Sequence, residues 1–412
     1  MKAGALPGPR SVPLGSDKRL AVALGLALAA LFVLDVWGIY TFLTARVPGA
    51  NDFFIPWSGA RAYVLHGLNP YSEEVGLQIQ IGVFGRPAQP GEDLSVFIYP
   101  FYAIFLLAPL TVLPYAWAAA IWQALLQFSL VAALLLLLNL YRWRPAPGVL
   151  ALLAIWALLF YPHARGLLLG QLVIMVFLFL VLALWALTRR HDRLAGVALA
   201  LTTIKPQVIF LVIPLLLLWA MSQRRWRFVG AFSLTVITLL GASFLALPTW
   251  LSDFIRRASA YPAYNPPSAP WVLVHFTFPT LGLAGEIALT VILISGLTWA
   301  WWREARSGWA TFHWTLAFTF LVTNLSVPHT ATTNYIVFLV PLVPLYHRLY
   351  QRTGILGLAV VQGALFVGLW VLFLATVDGR QEDPIMFLPL PLLMLLALFW
   401  GRRALARPLE GS

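Results

Sequence analysis

The chain reads as an all-α polytopic membrane protein, one integral membrane unit over residues 1–412 with about twelve transmembrane helices. Three observations predict this. Apolar runs long enough to cross a bilayer recur along the whole length, and 61% of residues are hydrophobic. Only 10% are charged, against roughly 25% in soluble domains. Lys and Arg gather in short clusters between the apolar runs, the pattern that orients membrane helices. The runs are continuous rather than alternating, which excludes a transmembrane barrel. The net charge of +12 therefore reads as an orientation signal and not as a nucleic-acid surface. With no cysteine, outward loops must be held by packing and hydrogen bonds.

The elements follow in chain order. The first 19 residues are polar and carry Lys2, Arg10, Lys18 and Arg19. The run of about 24 residues from Leu20 is longer than a signal-peptide core and lacks a small-x-small cleavage site, so it reads as a retained first span. A large outward loop covers about 44–114. Its segment YPFYAIFLLAPLTVL is short and interrupted by Pro109, so a juxtamembrane or half-inserted helix is expected there, with Tyr115 to Leu140 as the following span. Further spans are expected at 147–162, 171–188, 194–204, 207–221, 228–247, 280–302, 309–325, 334–349, 354–376 and 385–401.

A second outward loop, 248–279, contains YPAYNPPSAPW, and smaller outward turns hold Pro162 to Gln171, Ser326 to Thr333 and Asp378 to Pro384. The basic clusters at the N-terminus, Arg142/Arg144, Arg189/Arg190/Arg193, Arg224/Arg225/Arg227, Arg303/Arg306, Arg348/Arg352 and Arg402/Arg403/Arg407 then lie in the cytoplasm. Most acidic residues fall on the other side, and both termini lie inside. Leu194 to Ile204 is only about 16 Å of helix, half a bilayer, and it stops at Lys205-Pro206, where proline disfavours helix in the residue before it. A single kinked helix from 194 to 221 would put two Arg clusters on opposite sides, which the charge pattern disfavours. No internal repeat and no sizeable soluble domain is evident.

The most informative stretch is Asn51 to Tyr71, NDFFIPWSGARAYVLHGLNPY, a polar, turn-forming interruption directly after the first span. The groups able to do chemistry all lie on the outward side: Asp52, Tyr99, Arg165, Gln171, Lys205 and His329. Each has a plainer explanation. Asp52 is positioned to cap a helix beginning at Phe53, which from spacing alone is its simpler role; as a functional group it would be a carboxylate base. Asn69-Pro70-Tyr71 is most simply a turn. Lys205 is the strongest single signal, because an intramembrane cation needs a protein-lined, hydrated cavity; otherwise it snorkels to the interface. Its natural partner is an anion such as phosphate, and Arg165 in HARGLLLGQ and His329 in SVPHTATTN could complete a cationic cluster. Gln171, after Gly170, could hold a polar ligand or satisfy a helix end. Asp93 and Glu92 are alternative carboxylates, Asp35 lies mid-span, and His66, His163 and His275 are interfacial and uninformative. There is no phosphate-binding Gly-x-x-x-x-Gly-Lys loop, no His-Glu-x-x-His, no Gly-x-Ser-x-Gly and no Asp-x-Asp, so neither a metal-chelated nucleotide donor nor a cofactor is suggested.

DFFIPWSGARAYVLHGLNPYS, FIYPFYAIFLLAPLTVLP, RGLLLGQ, AGVALALTTIKPQ and VPHTATTNYIVFLVPL occur in this order over about residues 50 to 345. In order and spacing they resemble glycosyltransferase family 87, the polyprenol-phosphate-mannose-dependent transferases. Two departures from the family pattern are Leu172-Val173 after Gly170-Gln171 and Phe101 after Tyr99-Pro100. The resemblance implies a GT-C-like bundle with short juxtamembrane helices in the first extracytoplasmic loop. It also implies inverting transfer of a hexose, typically mannose, from a polyprenyl-phosphate carrier to a lipid or glycan acceptor at the outer face of the cell membrane. It maps the base onto Asp52 and a histidine near the leaving phosphate onto His329. The residues themselves add Lys205 and Arg165 as donor-phosphate ligands and Tyr99, Gln171, Asn69 and Tyr71 as substrate-positioning groups. Membrane lipids are the remaining expected partners. The alternative reading is a secondary transporter or lipid-carrier flippase, against which stand the long first outward loop and the missing repeat.

Overall fold

A computed structural model describes residues 18–47, 51–89, 92–260, 268–304, 309–327, 330–378 and 382–400. Regular structure there is helical throughout: α1 Lys18–Ile39, α2 Asn51–His66, α3 Glu73–Phe84, α4 Ala103–Leu107, α5 Tyr115–Leu140, α6 Pro147–Leu159, α7 Tyr161–Leu169, α8 Val173–Thr188, α9 Asp192–Leu201, α10 Val212–Ser222, α11 Trp226–Ala246, α12 Trp250–Ala260, α13 Ala269–Thr277, α14 Gly282–Glu304, α15 Trp309–Ser326, α16 Leu339–Thr376 and α17 Pro389–Trp400. Five described helical runs are long and apolar enough to cross a membrane, or six if the α6–α7 pair, bent by 57°, counts as one span. α1 is apolar on all sides, yet most of its leucines are exposed, and much of the apolar surface of α11 and α14 is exposed as well. Surface of this extent and length fits a lipid surround.

The helices run between two ends. α1 and α5 are antiparallel: Tyr40 stacks on Trp117 at 3.7 Å, Val36 packs on Ala120 and Ala124, and Phe32 meets Phe128 at 5.4 Å. α5 and α8 are parallel, since Trp122 Nε1 donates to the Gly170 carbonyl at 2.8 Å near their starts and Trp185 Nε1 donates to Asn139 Oδ1 at 2.8 Å near their ends. At that second end the Arg225 guanidinium donates to the Leu187 carbonyl at 2.8 Å and pairs with Asp192. The finish of α8, the start of α9 and the finish of α10 therefore meet, so α9 and α10 form a hairpin with Lys205 near its far tip. α9 lies directly against α11, where a side chain on Gly196 would come within 2.4 Å of the Phe228 carbonyl oxygen.

A second hairpin is made by α16. The run Thr332–Thr376 has 45 residues, far longer than one crossing, and it breaks at Gly354, whose φ of 69° no β-carbon-bearing residue adopts easily. Trp156 is wedged between its limbs, with its ring 5.2 Å from Tyr346 and its indole N–H donating to the Gln362 carbonyl at 3.1 Å. This break falls where separate runs, 334–349 and 354–376, are expected from sequence.

One expectation is corrected. Residues 162–171 are not a plain turn: Pro162 sits in the first turn, where its missing N–H costs nothing, and α7 runs from there to Gly170, which closes it with φ 69°. The loop expected over about 44–114 does contain short helices. Ser72 caps α3 by accepting from the Val75 N–H at 3.2 Å, Glu73 and Glu74 occupy its first turn, and Gly85 ends it with φ 74°. The region around Pro109 folds as α4 and a 3₁₀ turn. Phe53 stacks on Trp122 at 5.0 Å, Trp57 Nε1 donates to the Leu110 carbonyl at 3.0 Å, and Arg61 donates to the Thr111 and Leu113 carbonyls, clamping α2 to the start of α5.

The 248–279 loop docks on the 44–114 loop through α12. Asn69 Nδ2 donates to Asp253 at 2.8 Å, Arg257 donates to the Tyr71 carbonyl at 2.9 Å and pairs with Glu73 at 3.0 Å. Residues 261–267, most of the Pro- and Tyr-rich segment, lie outside the described residues.

Candidate active site

Three backbone irregularities, each written in local sequence, aim polar groups at one place. Asp52 stands in the first turn of α2, where the helix dipole favours a negative charge. The helix starts at Asn51, ahead of the expected Phe53, so Asp52 is a first-turn residue; its carboxylate takes up a distant partner. Gln171 follows the left-handed Gly170, whose carbonyl is pinned by Trp122, and the Gln171 N–H closes the turn on the Gly166 carbonyl at 2.9 Å. Lys205 sits between two 3₁₀ turns, 202–204 and 206–208, with φ −131° and ψ 74° because Pro206 denies it a helical backbone.

Residues 119 and 34 positions apart then join. Gln171 Nε2 donates to Asp52 Oδ2, and Lys205 Nζ donates to Gln171 Oε1 at 2.6 Å. The orientation of this amide is forced: an ammonium only donates and a carboxylate only accepts, so the oxygen must face Lys205 and the NH₂ must face Asp52. Lys205 is 7% exposed while Asp52 is half-buried, so the carboxylate is the more accessible of the two. Burial pushes the Asp52 carboxyl above its ordinary value, opposed by the charges of Arg165 and Lys205 and by the Gln171 hydrogen bond.

Arg165, on α7, is held from behind. It pairs with Glu382 at 3.0 Å, and Glu382 also accepts from the Tyr161 hydroxyl at 2.7 Å and from the Thr332 hydroxyl. The Glu382 side chain is 4% exposed, and it faces a polar cavity of about 380 Å³ lined also by Thr376, Asp378, Asp383 and Pro384. Sequence reading passed over Glu382. The available signal is a carboxylate in a short turn of a chain with few acidic residues, but its pairing with Arg165 joins positions 217 apart in sequence and is invisible locally.

The remaining candidates divide. Tyr99 is half-buried; its hydroxyl is pushed upward by burial and then by the charges of Asp52 and Asp93, which puts all three in one neighbourhood. Asp93 is also raised by burial, and one of its oxygens accepts from the Ser95 N–H at 2.7 Å. Asn69 and Tyr71 are brought elsewhere. Asn69 bridges Asp253 and the Tyr71 N–H, and the buried Tyr71 hydroxyl donates to the Tyr99 carbonyl at 2.6 Å, so both side chains are committed to holding the loop that carries Tyr99. Pro328 and His329 lie outside the described residues. Among the described residues no group of His, Asp or Glu has a metal-binding arrangement.

The assembly can do two things chemically: a partly accessible carboxylate can take a proton, and two cations beside it can face an anion. It lies at the start of α5, whereas Arg142, Arg189 and Arg225 lie at the opposite end of the bundle, about 39 Å of helix away. Comparison with protein families matches residues 97–326 to glycosyltransferase family 87. Tyr99, Arg165, Gln171 and Lys205 fall inside that match; Asp52, Asn69, Tyr71 and His329 fall outside it. No curated protein and no solved structure matches the chain.

Proposed function

The chain belongs to glycosyltransferase family 87, and from that premise we propose that it transfers a hexose, mannose in our reading, from a polyprenyl monophosphate to a hydroxyl of a lipid or glycan acceptor. Asp52 takes the proton of the attacking hydroxyl. The acceptor oxygen forms a bond to C1 of the sugar on the face opposite the phosphate, and the C1–O bond to the phosphate breaks with inversion. The phosphodiester, with one negative charge, leaves as a monoester carrying a second, and Lys205, Arg165 and His329 stabilise that added charge. Preorganised cations facing a developing charge in a water-poor site are worth several kcal/mol.

The observation that carries this reading is the Gln171 amide shared between Asp52 and Lys205. It sets the base and a cation side by side while preventing them from neutralising each other by direct contact. Tyr99, with Asp93 near it, lines the approach to Asp52 in this reading, and the isoprenoid tail lies in the apolar surface between lipid-facing helices. The site then opens outward, the Arg clusters and both termini lie in the cytoplasm, and the short helices α9, α10 and the limbs of α16 count toward about twelve spans in a GT-C-like bundle.

Purified protein in sealed proteoliposomes, given radiolabelled polyprenyl-phosphate-mannose and a lipid extract from the source cells, tests the proposal. Label is expected in a new glycolipid that survives the mild acid able to cleave the donor's anomeric phosphate. Label that crosses the bilayer but stays on the carrier would make the protein a flippase instead.

A further inference from the structure

Glu382 is a charged group buried at the edge of the site with no part in the chemistry above. Its carboxylate gathers three donors from two neighbouring segments: Arg165 and Tyr161 on α7, and Thr332 at the start of the 3₁₀ run that leads into α16. A 4% exposed carboxylate is tolerated only when it is paired and hydrogen-bonded, and here a guanidinium and two hydroxyls donate to it. Among the described residues, this bond is the one that fixes the Arg165 side chain, which is itself 21% exposed and acts on Asp52 electrostatically. A guanidinium offers five N–H donors in a rigid fork. The bond to Glu382 orients that fork and leaves donors over for an anion in front of it.

We propose that Glu382 is a positioning residue: it holds Arg165 so that the free side of its guanidinium meets the phosphate of the donor. The inference rests on the donor being a polyprenyl phosphate. A flexible arginine would have to be ordered each time a substrate arrives, and a prepositioned one is not. The effect should therefore appear in phosphate recognition and not in the acceptor.

The probe is a short-chain polyprenyl monophosphate without sugar, titrated against the protein in nanodiscs, alongside transfer kinetics. Glu382→Gln should weaken probe binding about 10-fold or more and raise the donor KM similarly, with the acceptor KM unchanged. Glu382→Asp, which keeps the carboxylate, should recover part of the loss. Arg165→Gln should weaken binding as much, and the double variant should be no worse than either single one, because the two side chains act as a unit. Equal probe binding by Glu382→Gln and wild type, or additive losses in the double variant, overturns the positioning role. Failure of wild type to bind the probe overturns the donor assignment itself and the positioning role with it. If Glu382→Gln does not fold, the Arg165→Gln and Glu382→Asp arms decide: an Arg165→Gln variant that binds the probe normally refutes the proposal.

Discussion

Replacing Asp52 with Asn changes one oxygen to an NH₂ and leaves the shape of α2 untouched. The variant keeps an oxygen able to accept from Gln171, so the bridge to Lys205 can persist. What disappears is the proton acceptor. Loss of a positioned general base costs about 10²–10⁴ in rate, or roughly 3–5 kcal/mol of barrier. Stability should move the other way or hardly at all. Burial raises the Asp52 carboxyl in the folded state, which means folding disfavours its charge at neutral pH. Removing that charge relieves the desolvation cost while giving up attraction to Lys205 and Arg165. Because the net shift is upward, the midpoint of thermal unfolding should stay level or rise. The assay is single-turnover sugar transfer beside thermal unfolding in the same detergent. Wild-type-like turnover by Asp52→Asn would refute the base assignment, and a large drop in unfolding temperature would show that Asp52 is structural instead.

Three other outcomes are expected. Transfer at limiting substrate should fall on the acidic side at a pH above the ordinary carboxylate value of 3.8, since a raised carboxyl is already protonated where an ordinary one is ionised; Asp52→Asn should remove that limb from its residual rate. Lys205→Ala should weaken carrier binding more than acceptor binding, measured as separate KM values, and equal effects would argue against a phosphate contact. Gly196→Ala should force α9 from α11, because the new methyl meets backbone at 2.4 Å that cannot yield, costing about 1–3 kcal/mol in denaturant titration; a neutral result would show the two helices are not in such close contact.

The sequence by itself determined the membrane class, the helix borders written by proline and glycine, and the irregularity at Lys205. Those depend on local chemistry: an apolar run must be lipid-facing or buried, Pro206 restricts its predecessor, and Gly170 supplies a left-handed residue. The residues at risk of function were legible for the same reason, since a lysine or carboxylate in an apolar chain stands out. Tertiary structure decided which of them meet. The Asp52–Gln171–Lys205 bridge joins α2, the α7–α8 turn and the α9–α10 tip, and no spacing along the chain encodes that closure. It also turned Asn69 and Tyr71 into supports of the loop that carries Tyr99 and supplied Glu382 as the partner of Arg165. A hydrogen bond between distant positions forms only after helices pack, and the helix-to-helix register that packing selects is set by many weak contacts summed over the bundle.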